Sequence, residues 1–339
     1  MDMKFFVGKN ILVTGGAGFI GSNLCEKLLL LGSNVINIDS VNDFYDLGIK
    51  RDNLKAVESV LKDNCKGNFY RFVEADIRDK EAVQKIFSKG KIDIVIHLAA
   101  YAGVRPSIND PQLYMDVNVN GTVVLLECMK KFDIKKFVFA SSSSVYGNNK
   151  TIPFNEKDTV DFPISPYAAS KKAGELICHT YHHLFGFSVA CLRFFTVYGP
   201  RQRPDLAISK FTSLILNDKE VPLYGDGSTE RDYTFIADII DGVLKAAYWL
   251  YEGAGKYDIF NLGESSTISL KTMVDTLEKA LGKKAVINYL PLQPGDVMRT
   301  NADISKSKSI LGYNPEVDFK SGIDKYVEWY KKYHNAVKI

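Results

Sequence analysis

Asn10-Ile11-Leu12-Val13-Thr14-Gly15-Gly16-Ala17-Gly18-Phe19-Ile20-Gly21 decides the reading of this chain. A short apolar run stops at a cluster of glycines, and a leucine-rich helical stretch begins directly after it. Glycines allow a tight turn and let a backbone approach a pyrophosphate closely, while the start of a helix offers unpaired N–H groups and the positive end of its dipole. The next apolar run, residues 35–38, ends at Asp39, whose carboxylate can accept hydrogen bonds from both hydroxyls of an adenine ribose. A carboxylate there repels a 2′-phosphate, so the expected cofactor is NAD rather than NADP. Glycines by themselves also serve ordinary turns; the order strand, glycine loop, helix, strand, acid is what makes a dinucleotide site of them.

Outward from that motif, short apolar runs alternate with helical ones, the pattern of βαβ units wound into a parallel sheet. Strands are predicted at residues 11–14, 35–38, 69–74, 92–98, 137–141 and 188–194, and helices at 19–31, 80–88, 113–132 and 167–185. Asp76, just after the third strand, is placed either to meet the adenine or to cap the helix that starts at Lys80. After Phe195 the rhythm loosens at Pro200, Pro204, Pro222, Gly225 and Gly227, and a smaller lobe begins. Residues 232–262 again read as strand, helix and strand, so the chain returns to the first lobe before finishing in the second. The expected fold is α/β: a Rossmann-type doubly wound parallel sheet with a smaller C-terminal α/β substrate-binding domain. Residues 1–193 with 232–263 are expected to form the NAD-binding domain, and 194–231 with 264–339 the substrate-binding domain.

The chain's 339 residues, 46% of them apolar, suffice for a large core. Its net charge of +3 is spread without a block of like charges, so neither nucleic acid nor a membrane surface is an expected partner. Five cysteines, Cys25, Cys65, Cys128, Cys178 and Cys191, form no C-x-x-C pair, which argues against a disulfide framework or a metal site and for a reducing cytoplasm. The apolar start, Phe5-Phe6-Val7, is too short for a secretory signal, and no run approaches the length of a membrane span.

Tyr167 and Lys171 are four residues apart at the start of a predicted helix, so they share a face. A phenol with a pKa near ~10 is a poor base at neutral pH, and an adjacent ammonium favours its phenolate. Tyr167 can then take a proton from a sugar hydroxyl while Lys171 holds the nicotinamide ribose. Tyr146 and Lys150 repeat the spacing, but Gly147-Asn148-Asn149 between them make a turn. Serines 141–144 directly follow the fifth strand, at the carboxyl edge where such sheets bind ligands. As a group they can steer a substrate hydroxyl toward Tyr167; singly, each could equally cap its own backbone.

Together these residues resemble the extended short-chain dehydrogenase/reductase family of nucleotide-sugar epimerases and dehydratases, over nearly the whole chain. The resemblance is carried by Asn42-Asp43-Phe44-Tyr45-Asp46 with Lys50-Arg51, and by Ala99-Ala100-Tyr101-Ala102-Gly103-Val104-Arg105. The most diagnostic segments are the eleven residues from Ser165 to Glu175, which hold Tyr167 and Lys171, and Arg193-Phe194-Phe195-Thr196-Val197-Tyr198-Gly199-Pro200. It implies an NAD-dependent isomerase that inverts C4 of a UDP-sugar through a 4-keto intermediate, and it is strongest toward the branch that acts on UDP-glucuronate. UDP-glucose and UDP-N-acetylglucosamine are the alternative sugars. By the same resemblance Ser142 partners Tyr167, and Gly15, Gly18, Phe19, Ile20, Gly21, Asp39, Asp76, Ile77, Ala99, Ala100 and Lys171 hold the cofactor.

Family dehydratases carry an Asp-Glu pair where this chain has Ser143-Ser144, and galactose-type epimerases carry Asn where it has Thr196. Without carboxyl groups, elimination lacks its proton carriers. Ser143, Ser144 and Thr196 can instead bind a sugar carboxylate, with Arg203 as its charged partner. Arg201-Gln202-Arg203 departs from plant-like members, which carry a bulkier aromatic after the proline. Arg231 and Arg299 match the diphosphate-binding arginines, and Tyr224 either packs on the uracil or is a core aromatic. Two helical stretches, 113–132 and 167–185, correspond to the elements through which relatives pair, so a homodimer is expected. An NAD-binding regulator without chemistry is the competing class; such proteins typically lose the Tyr and Lys that are present here. A net dehydrogenase would use the same hydride step and differ in how tightly it keeps its cofactor.

Overall fold

The computed structural model describes residues 3–63, 67–291 and 297–337. Cys65 and, from the segment preceding Arg299, Pro294, Gly295 and Asp296 lie outside the described residues. In chain order the first part runs β1 (Asn10–Thr14), α1 (Phe19–Leu30), β2 (Asn34–Asp39), α2 (Leu47–Asp63), β3 (Tyr70–Glu74), α3 (Lys80–Ser88) and β4 (Ile94–His97). It continues with α4 (Val104–Asn109), α5 (Pro111–Met115), α6 (Gly121–Lys131), β5 (Lys136–Ser142), α7 (Pro166–Phe185) and β6 (Ser188–Phe194). Then follow β7 (Thr196–Tyr198), α8 (Ala207–Leu216), β8 (Glu220–Tyr224), β9 (Glu230–Arg231), β10 (Tyr233–Phe235), α9 (Ile236–Trp249) and β11 (Tyr257–Leu262). The last elements are β12 (Ile268–Ser269), α10 (Leu270–Leu281), β13 (Val286–Leu290), α11 (Ser305–Leu311) and α12 (Phe319–Val337).

Seven strands form one parallel sheet in the order β3-β2-β1-β4-β5-β6-β11. Strand order reverses between β1 and β4, and in such sheets the crevice at the strands' carboxyl ends opens there. Both faces are covered, as parallel sheets require. Ile11 and Val13 of β1 pack into one apolar cluster with Leu24 and Leu28 of α1 and Val243 of α9; Leu12 packs into the opposite cluster with Leu125 and Met129 of α6. That two-residue alternation is the pleat of the strand, and each buried aliphatic side chain contributes about 1.5–3 kcal/mol. Tyr257–Leu262 pairs along its whole length with β6, so the chain comes back to the main sheet after β7 to α9. Away from that sheet, β8 pairs in parallel with β13. No helix among the described residues is long and apolar enough to cross a membrane.

Two helical expectations change. The helix predicted at 113–132 starts at Pro111 and contains a single π turn, Asp116–Asn120, between α5 and α6. Helix α2 was not predicted, because its hydropathy is low; its signal is the spacing of Leu54, Val57 and Leu61, which face the core.

Candidate functional site

A cleft of about 390 Å³ opens at the carboxyl ends of the strands. At one end β1 turns sharply at Gly15, whose φ is +79° and where a Cβ would lie 2.8 Å from the backbone nitrogen of Ala99. Gly21, in the first turn of α1, would place a Cβ 2.1 Å from the Gly15 carbonyl oxygen. No side chain therefore fits between loop and helix. Gly18 caps α1 without a side-chain hydrogen bond, so the helix N-terminus faces the cleft, with Phe19 and Ile20 in its wall. Uncapped N–H groups beside a cradle that excludes Cβ atoms are what a pyrophosphate needs. The Asp39 carboxylate accepts from the Ala17 N–H at 3.0 Å and the Val41 N–H at 2.9 Å. Burial raises its pKa, opposed by those N–H groups and by Lys50.

Asp76, Ile77, Ala99 and Ala100 line the same end. Asp76 is gripped by Arg78 through Nε and Nη2, which holds its carboxyl below the usual range. Helix α3 is capped by Asp79, whose carboxylate accepts from the Glu81 and Ala82 N–H groups, so the capping alternative for Asp76 is corrected. Sequence reasoning missed Lys50 as a structural member of this wall. Its ammonium donates to the carbonyl and side-chain oxygens of Asn42, at 2.7 Å each, and lies over the Tyr45 ring.

At the other end, α7 begins with Pro166 behind a Ser165 cap that accepts from the Ala168 N–H. Tyr167 thereby sits in the first turn, with Lys171 one turn on and both in the cleft wall. The Lys171 ammonium, expected to favour the phenolate, stands beside the Tyr167 ring. It donates to the Ala140 carbonyl at 2.8 Å, 6.0 Å from the Tyr167 ring centre, and burial lowers its pKa to about 8. Burial raises the Tyr167 phenol, and what opposes that is a hydrogen bond with Ser142 and the charge of Arg203. A guanidinium 32 positions past Lys171 in the chain, invisible to local spacing, adds a second positive charge at the phenol.

The four serines divide. Ser142 Oγ accepts from the Ser144 N–H and donates to the Ser144 hydroxyl, while Ser143 and Ser144 line the cleft. Ser141 turns its hydroxyl inward, donating at 2.6 Å to Glu175, which also takes Arg193 in two hydrogen bonds of 2.8 and 2.9 Å. Glu175 and Arg193 are each 1% exposed. Losing either would strand a buried charge, at about 3–5 kcal/mol; the pair thus holds the end of β5 against α7 and β6. Asn118, carried inward by the π turn, accepts from the Tyr101 N–H and donates to the Tyr101 carbonyl and the Ser170 hydroxyl. Tyr146 is not a second base: it ends a turn, buried, with its hydroxyl donating to Asn261.

Thr196 and Arg203 also line the cleft, and the charge of Arg203 reaches the Tyr167 phenol. Tyr224, Arg231 and Arg299 do not line the cleft. Arg231 and Arg299 nevertheless come together at Glu230: Arg231 donates to its carbonyl and Arg299 pairs with its carboxylate at 2.9 Å. Tyr224 is half-buried at the end of β8, and its ring faces the Arg105 guanidinium at 5.0 Å. Among the described residues no group of His, Cys, Asp or Glu is placed to hold a metal ion.

A family profile described as GDP-mannose 4,6 dehydratase matches residues 12–326. The chain is 42% identical to a UDP-glucuronate 4-epimerase of Thermodesulfobacterium geofontis over 328 residues, covering 96% of this chain and 98% of that one. Among solved structures it is similar to the UDP-glucuronic acid 4-epimerase of Bacillus cereus in complex with UDP-glucuronic acid and NAD, at 37% identity and a TM-score of 0.87, covering 96% and 99% of the two chains. It is also similar to a UDP-glucose 4-epimerase of Thermotoga maritima with UDP-glucose, at 32% identity and a TM-score of 0.84, with the same coverage.

Proposed function

The chain belongs to the family described as GDP-mannose 4,6 dehydratase, and from that premise we propose that it is an NAD-dependent isomerase that interconverts UDP-glucuronate and UDP-galacturonate by inversion at C4. The observation that carries the choice of sugar is the wall around Tyr167. Three hydroxyls, from Ser143, Ser144 and Thr196, stand there with the Arg203 guanidinium, and the acidic residues of the cleft, Asp39 and Asp76, belong to its other end. Hydroxyls and a guanidinium suit a carboxylate, and dehydration has no carboxyl acid or base to use.

Gly15, Gly18, Phe19, Ile20 and Gly21 hold the NAD pyrophosphate, Asp39 the adenine ribose, Asp76 and Ile77 the adenine, Ala99 and Ala100 the adjoining backbone, and Lys171 the nicotinamide ribose. Bound there, NAD supplies the acceptor, and later the donor, of the C4 hydride. Tyr167 takes the proton of the 4-hydroxyl and returns it; Ser142 and Arg203 favour the phenolate this requires. The 4-keto sugar is a β-keto acid and loses carbon dioxide unless its carboxylate is kept out of alignment with the carbonyl. Ser143, Ser144, Thr196 and Arg203 provide that restraint. Arg231 and Arg299 take the diphosphate and Tyr224 the uracil. Since none of these three lines the cleft, the assignment includes movement of that side toward the nucleotide.

Incubation with UDP-glucuronate, UDP-glucose and UDP-N-acetylglucosamine should convert UDP-glucuronate fastest, to UDP-galacturonate. A UDP-pentose as main product, or faster turnover of UDP-glucose, would sink the choice of sugar. Denatured protein should release NAD, and recovery of NADP alone would remove the role given to Asp39.

The division into residues 1–193 with 232–263 and 194–231 with 264–339 forms part of the same reading, supported by the return of β11 to the main sheet. So does a cytoplasmic location, supported by four buried, unpaired cysteines among the described residues and checked by cell fractionation. The molecule is a homodimer built on α5, α6 and α7. Leu176 and Leu184, eight apart on one face of α7, are 57% and 61% exposed, an apolar row for a second copy to cover. Light scattering should give twice the chain mass at micromolar concentration; a monomer there would count against it.

A further inference from the structure

Arg203 is held in a way that the choice of sugar alone does not account for. Its Nε donates to one carboxylate oxygen of Asp205 at 2.9 Å and its Nη2 to the other at 2.7 Å, a two-point fork. Asp205 is not among the residues that line the cleft, whereas Arg203 is. The fork is therefore closed from behind. Phe44, from the loop between β2 and α2, lies 5.0 Å from the guanidinium carbon, with its ring in the cleft wall. Phe44 is itself packed edge-on against Tyr101, and Tyr101 against Tyr114, which meets Tyr167 at 6.2 Å. Nη1 is the one guanidinium nitrogen that bonds no described residue.

A guanidinium on a long side chain carries much rotamer entropy, and a ligand that has to order it loses that part of the binding energy. Here the ordering is already done. A carboxylate behind and an aromatic ring on one face leave a single donor edge to meet a ligand, so a carboxylate must approach from one direction. A neutral hydroxymethyl group at the same place offers no charge to that edge. We propose that Asp205 and Phe44 are specificity-determining positioning residues: they clamp Arg203 so that its Nη1 edge selects a C6 carboxylate and fixes its orientation during the 4-keto stage. This rests on the reading of the substrate as a UDP-uronate.

Two measurements test the clamp on the full-length protein with its cofactor. In a Tyr167→Phe background, which slows turnover by about two to four orders of magnitude, titration calorimetry gives dissociation constants for UDP-glucuronate and UDP-glucose. Asp205→Asn, which loses the charge and one of the two acceptors, should weaken UDP-glucuronate by about three- to ten-fold, the range for having to order one long side chain on binding. UDP-glucose binding and NAD content should stay within about two-fold of the parent, a margin of a few tenths of a kcal/mol. In the Tyr167-containing protein, Asp205→Asn and Phe44→Leu should both raise the share of product that has lost carbon dioxide. In that side reaction the C5–C6 bond breaks, its electron pair passes to C5, C5 takes a proton, and the 4-keto pentose regains the hydride removed from C4. Parallel weakening of both nucleotides would mean a merely structural role, and unchanged selectivity with an unchanged product share would mean no clamp; either overturns the proposal. A wild-type preference for UDP-glucose would instead sink the substrate reading, which the parent protein alone reports.

Discussion

Tyr167→Phe lowers turnover of UDP-glucuronate by about two to four orders of magnitude, the range for losing a positioned acid and base, and leaves the protein folded. The loss is large because nothing nearby can take over. The other polar groups at this part of the cleft are the hydroxyls of Ser142, Ser143, Ser144 and Thr196, the Arg203 guanidinium and the Lys171 ammonium, and the neighbouring Tyr114 phenol donates to the Ala102 carbonyl instead. The fold is spared because the phenylalanine ring keeps the contact with Tyr114 and the change removes one hydroxyl whose named partner is Ser142. Steady-state rates beside a thermal melt check both halves. Turnover near the parent's would remove Tyr167 from the chemistry; a collapsed melt would make it a structural residue.

Gly21→Ala yields protein without its dinucleotide. The added Cβ would lie 2.1 Å from the Gly15 oxygen, 2.7 Å from the Gly15 carbon and 2.8 Å from the Gly16 Cα, all of them backbone. A flexible side chain could swing aside; this loop cannot, because Gly15 at positive φ is pressed against Ala99 on its other side. The loop must leave the helix N-terminus, which separates the N–H groups from the turn that completes the phosphate cradle. Overpacking of this kind costs about 1–3 kcal/mol as well. Gly90→Ala is the control: a Cβ there meets nothing within 4 Å, so both cofactor content and melting temperature should match the parent's. Full NAD content in the Gly21→Ala protein, measured in the supernatant after denaturation, would show that the cradle is not the cofactor's seat.

The sheet was legible because its evidence is local. Each strand of a buried parallel sheet is a short apolar run, and the predicted stretch 188–194 coincides with β6, Ser188–Phe194. Lys80–Ser88 was equally readable as α3, since its apolar residues recur at helical spacing. Helix α2 escaped because only one narrow stripe of it is apolar, and the π turn at Asp116–Asn120 escaped because a hydrogen-bond shift within a helix leaves no mark on hydrophobic period. Lys50, Phe44 and Tyr101 were unreadable as a wall, since they reach the cleft from separate loops and a helix, with Tyr114 packed behind Tyr101.

By itself the sequence determined the doubly wound sheet, the glycine loop with Asp39 facing it, and the common face of Tyr167 and Lys171, all of which follow from periodicity and spacing over a few residues. Tertiary structure alone decided what those groups face. It added the Arg203 guanidinium to Lys171 in electrostatic reach of the phenol, turned the Ser141 hydroxyl toward the buried pair of Glu175 and Arg193, and joined Arg231 to Arg299 at Glu230, outside the cleft. The physical reason is the same in each case. Where water is excluded, a charge or hydroxyl turns to whichever partner the packing of distant segments brings within about 3 Å, and that partner's place in the chain follows no local period.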